Sequence, residues 1–380
     1  MSTRIQTDWP LFTAILMLLC FGLIIVYSAS SVIAGVRFNK ETYDFALRQY
    51  IFASLGVLLM LILKRINYQS LRHPLFIFVP IGLVVLLLIG VLFFDPANHR
   101  WYRLPGGFKL QPSEFAKPVL ILFLAYFVAR RENEINNRHT LGPAAIVVAG
   151  LAGLIGYADL GTAFVILLPA AAVFYVAGLE KRIFILSMVL VVALAAGAIV
   201  QKPYRLIRIL AYVGLTEEKI QATPALKWMA AWTSQSKATR DSEYHARQSE
   251  IAVGTGGLFG VGLNQGHSKM GFLPEAHTDF IFGVVGEELG LLGSCALICG
   301  YMVIFWRGLR LFWLAPDVFG RYLALGTVVL FAGQAFFNMS VVLGLFPTKG
   351  LPLPMISYGG SALLTTLASL GLLLSVSDHA

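Results

Sequence analysis

The chain has 380 residues, of which 57% are hydrophobic and only 13% are charged, and its formal net charge is +9. A soluble domain carries about 25% charged residues, so this composition excludes an ordinary soluble protein. We expect no nucleic-acid partner, because most of the basic residues flank apolar segments, where they set membrane orientation or contact anionic lipid head groups.

Ten apolar segments follow one another along the chain. The hydrocarbon core of a bilayer, about 30 Å thick, is crossed by about 20 helical residues, and a backbone in lipid must satisfy its polar groups internally. The sequence therefore predicts an all-α, polytopic integral membrane protein of about ten helices, near residues 10–34, 46–64, 75–95, 112–129, 141–158, 160–179, 183–200, 280–305, 320–345 and 359–376. We treat residues 1–380 as a single transmembrane domain.

The fourth predicted helix carries Glu114 and Lys117 inside an apolar stretch. Residues three apart share one face of a helix, so the two opposite charges can neutralise each other. Ionisable side chains in a membrane are costly and therefore indicate function by default. Two interpretations stay open: a structural ion pair, or a lysine that Glu114 orients until an anionic ligand arrives.

The fifth and sixth segments are separated only by Ala158-Asp159-Leu160, which predicts a tight helical hairpin. At the apex of such a hairpin an aspartate is more often a helix cap than a substrate ligand.

Residues 201–279 form the one large loop between predicted membrane helices, the seventh and the eighth. Trp228 and Trp232 stand at helical spacing in it and predict an amphipathic helix on the membrane surface. The glycine-rich run from Gly254 to Gly266 suggests a phosphate cradle, but no Gly-Lys-Ser or Gly-Lys-Thr follows it. We expect flexible backbone beside the bilayer, lining a cavity.

The basic residues favour one orientation. With the N-terminus in the cytoplasm, the inner segments hold 12 Lys or Arg and the short outer loops hold 7. The long segment 201–279 has little weight in this comparison, because long loops cross the membrane largely regardless of charge. The sequence therefore predicts that both termini are cytoplasmic and that segment 201–279 is extracytoplasmic.

Three stretches of the sequence resemble the SEDS family (shape, elongation, division and sporulation), namely Leu110–Lys117, Leu273–Gly290 and Pro347–Ser361. The resemblance extends from about Pro10 to Ser375. The Val-Val-Gly-Glu-Glu and Pro-Thr-Lys-Gly forms resemble the FtsW subfamily, which acts in division, more than the RodA subfamily, which acts in elongation.

The resemblance implies a glycosyltransferase of the bacterial cytoplasmic (inner) membrane that polymerises lipid II into peptidoglycan strands on the extracytoplasmic face. Expected partners are an FtsI-like class B penicillin-binding transpeptidase and, for an FtsW-like member at the septum, other divisome proteins. The family's catalytic aspartate matches Asp279, its paired polar positions match Glu114 and Lys117, and its basic residue at the mouth of the second helix matches Arg48.

This chemistry needs one base and several cations. An acceptor 4-hydroxyl attacks the anomeric carbon of the donor sugar and expels a lipid diphosphate, so a single inverting displacement changes an α bond into a β bond. The diphosphate leaves as an anion, and no second carboxylic acid is needed to protonate it. We therefore predict Asp279 as the general base, with the alternative that it only caps the eighth helix.

For the leaving group we predict Arg48 and Lys117, with Arg100 and Arg205 as weaker candidates whose alternative role is interfacial anchoring. No metal ligand set is predicted. A divalent cation such as Mg²⁺ or Mn²⁺ stays open, because the sequence displays no dedicated carboxylate cage. For Glu287 and Glu288, inside the eighth helix, helix packing and proton-coupled motion both stay open.

Two other function classes compete with the polymerase. A lipid II flippase or other transporter would use membrane carboxylates as a proton relay. A division scaffold without chemistry would only recruit partners. Within the family, a RodA-like elongation polymerase is the alternative to a division enzyme.

Overall fold

The computed structural model describes the chain except residues 1–6, 39–42, 97, 104, 106–107, 202, 213–237, 271–272, 274, 348 and 380. Within the described residues the chain is almost entirely helical, with one short antiparallel hairpin of β1 (Tyr102–Arg103) and β2 (Lys109–Leu110). The helices in chain order are α1 (Trp9–Phe38), α2 (Asp44–Arg65), α3 (Pro74–Phe94), α4 (Pro112–Arg131), α5 (Arg138–Ala158), α6 (Leu160–Val176), α7 (Lys181–Val200), α8 (Pro203–Tyr212), α9 (Ala238–Thr255), α10 (Ile281–Leu314), α11 (Val318–Val342) and α12 (Gly360–His379).

Among the described residues, nine helices are long and apolar enough to cross a membrane: α1 to α5, α7 and α10 to α12. The apolar helix α6 is shorter, with 17 residues. Each predicted segment coincides with one of these ten helices, which confirms an all-α, multi-pass membrane protein. The largest difference is at the end of α10, where the helix continues to Leu314 beyond the predicted apolar window.

The bundle is built around α4, α11 and α12, which are mostly buried. Helix α12 packs along α2, and α11 packs against α10, α4 and α6. Since lipid tails are as apolar as the helices, association depends on close approach through small residues; Gly56 of α2 lies against Leu367, and Gly371 of α12 lies against Met60. Helix α7 buries none of its residues and is left for lipid.

The start of α1 and the end of α12 lie at the same end of the bundle, as the ten predicted crossings require. The main-chain nitrogen of Asp8 donates to the Ser377 hydroxyl at 3.2 Å. Two ion pairs close this end: Arg307 with Asp8 at 2.7 Å, and Lys64 with Asp378 at 2.8 Å. We call it the terminal end, and the opposite end, where Asp279 lies, the loop end.

Helix α10 is interrupted at Gly290, whose φ of 65° is a left-handed value that favours glycine. The loop of residues 256–262 takes up the main-chain groups that the break leaves unpaired. Two N–H groups of this loop donate to the carbonyls of Glu287 and Glu288 at 3.0 Å, and the N–H of Leu291 donates back to the loop at 2.9 Å. The glycine-rich run thus packs onto the helix break.

Candidate functional site

Asp279 lies in the turn of residues 275–280, directly before α10. The N-cap position of α10 belongs to Phe280, and the first turn of the helix contains no acidic residue. The alternative in which Asp279 only caps the eighth helix therefore has no support from the geometry. The side chain is half-buried at the loop end.

The pKa of the Asp279 carboxyl is well above the usual value for an aspartate. Burial raises this pKa to about 6, and the nearby charge of Glu275 acts in the same direction. Arg100 lowers the pKa, Asp159 raises it, and Lys349 lowers it. In the described part of the chain no cation forms an ion pair with Asp279. Its carboxyl therefore titrates in the range in which a general base is effective.

Asp159 is the second carboxyl of this site, and it is held in the ionised form. Lys349 Nζ lies 2.7 Å from one of its oxygens, and the Arg100 guanidinium pairs with the other. Its side chain also caps α6 through the Gly161 N–H at 3.0 Å and the Thr162 hydroxyl at 3.0 Å. Burial opposes ionisation, but Lys349 and Arg100 outweigh it and hold the pKa of Asp159 well below its usual range.

Lys349 was not among the predicted site residues, although it stands in the Pro-Thr-Lys-Gly motif. The segment after α11 brings Lys349 to Asp159 and the next residue, Gly350, against the carboxyl of Asp279. A Cβ atom at position 350 would overlap that carboxyl, so a larger residue there would have to displace it. We call Asp279, Asp159, Arg100 and Lys349 the Asp279 site.

Arg48 also lies at the loop end. Its Nε is 3.1 Å from Asp44, and its guanidinium lies 5.5 Å from the centre of the Phe108 ring. Burial raises the pKa of Tyr358, and the charge of Arg48 acts against this rise. The ring of Tyr358 contacts His277 at 5.8 Å between centroids, which brings Arg48 into the neighbourhood of the turn that carries Asp279.

Glu114 and Lys117 form an ion pair of 2.7 Å in the first two turns of α4, and both are buried. Lys117 Nζ donates to both oxygens of Glu114 at 2.7 Å and to Gln334 at 2.9 Å. These acceptors match the three protons of an ammonium group. The geometry therefore favours the structural interpretation of this pair, and diphosphate binding by Lys117 stays a prediction.

Arg205, on α8, binds the exposed ends of two membrane helices. Its guanidinium donates to the carbonyl of Ala198 in α7 at 3.1 Å and to that of Tyr157 in α5 at 3.3 Å. A cation at a helix C-terminus interacts favourably with the helix dipole. These contacts fit the anchoring interpretation.

Glu288 pairs with Lys269 at 2.7 Å, and neither side chain is exposed. Lys269 also donates to Ser28 of α1 at 3.0 Å and to Asn264 at 2.7 Å. The Glu287 carboxylate accepts a hydrogen bond of 2.8 Å from the main-chain N–H of His267, in the loop that precedes α10. Helix packing and proton-coupled motion were both open for these glutamates, and the contacts favour packing of the loop onto α10.

The described residues leave out one predicted helix and contain no cluster of metal-ligand side chains. The amphipathic helix around Trp228 and Trp232 lies outside the described residues. Across the described ranges, no group of three or more His, Cys, Asp or Glu side chains could hold a metal ion.

Comparisons with known proteins cover almost the whole chain. A family model for FtsW, RodA and SpoVE, described as "cell cycle protein", matches residues 9–380. A probable peptidoglycan glycosyltransferase FtsW of Geobacter metallireducens is 40% identical over 95% of this chain and 92% of its own. Stage V sporulation protein E of Bacillus subtilis is 35% identical, covering 100% of this chain and 99% of its own.

Solved structures share the fold. A chain from a peptidoglycan synthase complex that coordinates polymerization and crosslinking has a TM-score of 0.72 and 26% identity, covering 98% of each chain. The rod shape determining protein RodA of Thermus thermophilus has a TM-score of 0.65 and 25% identity, covering 98% of this chain and 96% of its own. Together with the family model, these matches confirm the resemblance of the motifs: the chain belongs to the FtsW, RodA and SpoVE family of SEDS proteins.

Proposed function

We propose that this chain is a peptidoglycan glycosyltransferase that polymerises lipid II into glycan strands during cell division. Two relatives at 40% identity are named as probable peptidoglycan glycosyltransferases FtsW. The observation that carries the proposal is the half-buried carboxyl of Asp279, whose pKa burial raises to about 6, beside the cations Arg100 and Lys349.

In this reaction Asp279 acts as the general base. The 4-hydroxyl oxygen of the acceptor sugar bonds to the anomeric carbon of the donor while its proton passes to the Asp279 carboxylate. The bond between that carbon and the diphosphate oxygen breaks, and its electron pair leaves with the undecaprenyl diphosphate. A base with a pKa near the working pH combines a useful ionised fraction with proton affinity.

We assign the leaving diphosphate to Arg100 and Lys349, with Arg48 at the same end of the bundle. The Nε of Arg100 is buried and has no hydrogen-bond partner among the described residues, so it offers a donor to an incoming oxygen. A guanidinium grips phosphate oxygens with several donors, whereas an ammonium acts as a point charge. Asp159 holds both cations in place until the substrate arrives.

Lys117 and Arg205, predicted from the sequence to bind the diphosphate, have other partners in the structure. Lys117 directs its protons to Glu114 and Gln334, and Arg205 donates to helix carbonyls. Both are therefore given supporting roles in this mechanism, Lys117 inside the bundle and Arg205 at the ends of α5 and α7.

We further propose that the loop end faces the outside of the bacterial cytoplasmic membrane, with both termini in the cytoplasm and the enzyme at the septum. Segment 201–279 would then be extracytoplasmic within one domain of residues 1–380. The expected partner is a class B penicillin-binding transpeptidase, supported by the structural likeness to a chain of a peptidoglycan synthase complex.

The test is polymerisation by the purified full chain. Lipid II in detergent is supplied with and without the class B transpeptidase from the same genome, and the glycan ladder is resolved on a gel. We expect long products from the wild type with its partner, and none above background from Asp279→Asn. The Asn side chain keeps the shape and polarity of the aspartate but cannot take up the proton.

Other outcomes would decide between the competing functions. If the wild type produces no polymer with its partner, while vesicles containing it move lipid II across the bilayer, the chain is a transporter. Polymer of equal length from Asp279→Asn would remove Asp279 as the base. Complementation of an elongation-deficient strain, but not of a division-deficient strain, would identify an elongation polymerase.

A further inference from the structure

The turn that carries Asp279 is held through its main chain. The carbonyl groups of residues 277, 278 and 279 accept hydrogen bonds of 2.9, 2.5 and 2.7 Å, respectively, from the Tyr358 N–H, the Ser357 hydroxyl and the Asn338 side-chain amide. Three consecutive carbonyls are thus bound by donors from elsewhere in the chain. An ordinary surface turn has its carbonyls solvated by water, so this turn is fixed to an unusual degree.

Asn338 differs from the other two donors because it comes from a membrane helix, α11. Its amide nitrogen donates one proton to the carbonyl of Asp279 and the other to the carbonyl of Leu351 at 2.6 Å. Asn338 is 2% exposed. A single buried amide therefore joins the turn of Asp279 to the segment that supplies Lys349 and Gly350 to the same site.

Gln334 lies one turn earlier on the same face of α11. Its amide nitrogen donates to the carbonyl of Pro352 at 2.7 Å, and its oxygen accepts from Lys117. The two amides thus bind consecutive carbonyls, those of residues 351 and 352. The buried pair of Glu114 and Lys117 supports this arrangement from α4, which gives the pair a role that needs no contact with substrate.

Ser357 completes the connection. Besides donating to the turn at residue 278, its hydroxyl accepts the N–H of Leu353 at 2.7 Å. The serine therefore closes the segment of residues 351–358 onto itself and onto the turn of Asp279.

We propose that Asn338, supported by Ser357, is a positioning residue for glycosyl transfer. The amide of Asn338 sets the distance between the Asp279 carboxylate and the segment of Lys349 and Gly350, and so places the base relative to the cations that bind the diphosphate. This inference rests on the proposed function. A misplacement of about 1 Å in a reacting geometry costs on the order of 100-fold in rate.

The test uses the full chain with its transpeptidase partner and measures initial rates of lipid II consumption against substrate concentration and pH. Asn338→Leu keeps the size of the side chain, removes both donors and adds no charge. Ser357→Ala is a milder second variant. The control is Thr327→Val on the same helix, because the buried Thr327 hydroxyl has no hydrogen-bond partner among the described residues.

We expect kcat to fall by about 10- to 100-fold in Asn338→Leu and by about fivefold in Ser357→Ala, with KM unchanged. Thr327→Val should match the wild type. We also expect the acid limb of the pH profile to move to lower pH in Asn338→Leu. The charged groups around Asp279, namely Glu275, Arg100, Asp159 and Lys349, are unchanged in this variant, so a moved limb reports a carboxyl that has left its buried position.

If both variants keep the wild-type kcat per folded molecule and the acid limb does not move, the residues are structural and the positioning role is overturned. If Asn338→Leu does not fold, the kcat of Ser357→Ala decides: a fall of about fivefold supports the positioning role, and an unchanged kcat overturns it. If the wild type and Thr327→Val themselves fail to polymerise lipid II, the proposed function fails first, and the positioning inference fails with it.

Discussion

Two regions of this molecule bring buried or half-buried charged groups together, and they differ in how completely those groups are paired. At the break in α10, Lys269 and Glu288 are both fully buried and 2.7 Å apart. The ammonium group has two further acceptors, Ser28 and Asn264, and the carboxylate accepts the Ser28 hydroxyl at 2.7 Å. Nothing in this arrangement is left to bind a ligand.

The Asp279 site also collects charges of both signs, but the pairing there is uneven. Asp159 receives Arg100 and Lys349, whereas Asp279, beside it, receives neither cation as an ion-pair partner in the described structure. Two neighbouring carboxyls therefore have pKa values displaced in opposite directions. Such a separation is how active sites assign different roles to similar groups. Complete pairing at α10 holds the fold, and incomplete pairing at the loop end leaves a base.

The largest expected effect on activity is that of Asp279→Asn. A positioned general base contributes about 10²- to 10⁴-fold, so we expect a loss of that size in the rate of lipid II polymerisation. Thermal unfolding in detergent should show the variant at least as stable as the wild type, since it removes a carboxyl that burial disfavours. If the variant lost activity because it unfolded, Asp279 would hold the fold, as Lys269 and Glu288 do, and would not be a base that the fold leaves unpaired.

The matching change in the other region is Lys269→Met, which leaves the Glu288 carboxylate buried without its cation. Breaking a buried pair by removing one partner costs about 3–5 kcal/mol, so we expect a large drop in the unfolding temperature and little folded protein. The double variant Lys269→Met, Glu288→Gln removes the unpaired charge and should recover most of this loss.

A surface pair serves as the control for that prediction. Arg131 and Glu134 lie 3.0 Å apart with about half of each side chain exposed. Arg131→Met should change stability by less than about 1 kcal/mol. Equal losses from Lys269→Met and Arg131→Met would mean that burial does not distinguish the two pairs.

The helices were predictable because each depends on a local property, an apolar run of membrane-crossing length. The hairpin at Asp159 followed from the single polar residue between two such runs, and Asp159 indeed caps α6. The end of α10 was missed because the helix continues past the apolar window with Arg307 and Arg310, which a membrane-length criterion excludes.

The site was predictable only in part. The motif resemblance located Asp279, but its neighbours come from distant parts of the chain: Arg100 before α4, Asp159 between α5 and α6, and Lys349 after α11. No local pattern states which cation meets which carboxylate. The role of Asn338 was equally hidden, because one asparagine on a helix shows neither the carbonyls it will bind nor its burial.

A smaller effect is expected from Lys349→Met at the Asp279 site. The variant removes one of two cations that pair with Asp159, and the loss of one charged donor at a developing anion typically costs about 10²- to 10³-fold. We expect the lower part of that range, because Arg100 is retained. The rate at saturating lipid II should fall, while folding, measured by thermal unfolding, should tolerate the change.

The same variant also tests the electrostatic comparison. Lys349 lowers the pKa of Asp279, so its removal should move the acid limb of the polymerisation rate to higher pH. An acid limb that does not move would indicate that Lys349 and Asp279 are not electrostatically coupled.

The smallest expected effect is the pH dependence of the wild type. Because Asp279 must be ionised to accept a proton and its pKa is about 6, the rate should fall about tenfold per pH unit below that value. Stability should respond in the opposite sense. Between about pH 4 and pH 6 the unfolded chain has already lost the Asp279 proton while the folded chain retains it, so this group's contribution to stability decreases as the pH rises.

The comparison of wild type with Asp279→Asn isolates that contribution. The wild type should lose stability relative to the variant as the pH rises from about 4 to 7, because only the wild type has a carboxyl to ionise at this position. Asp159 has a lowered pKa in the folded chain, so it stabilises the fold at pH values above the ordinary aspartate pKa. It does so in both proteins, and its contribution cancels in the difference. A stability difference that is independent of pH would mean that the Asp279 carboxyl is solvated like a free aspartate, and the contrast between the two regions would then rest on Lys269 and Glu288 alone.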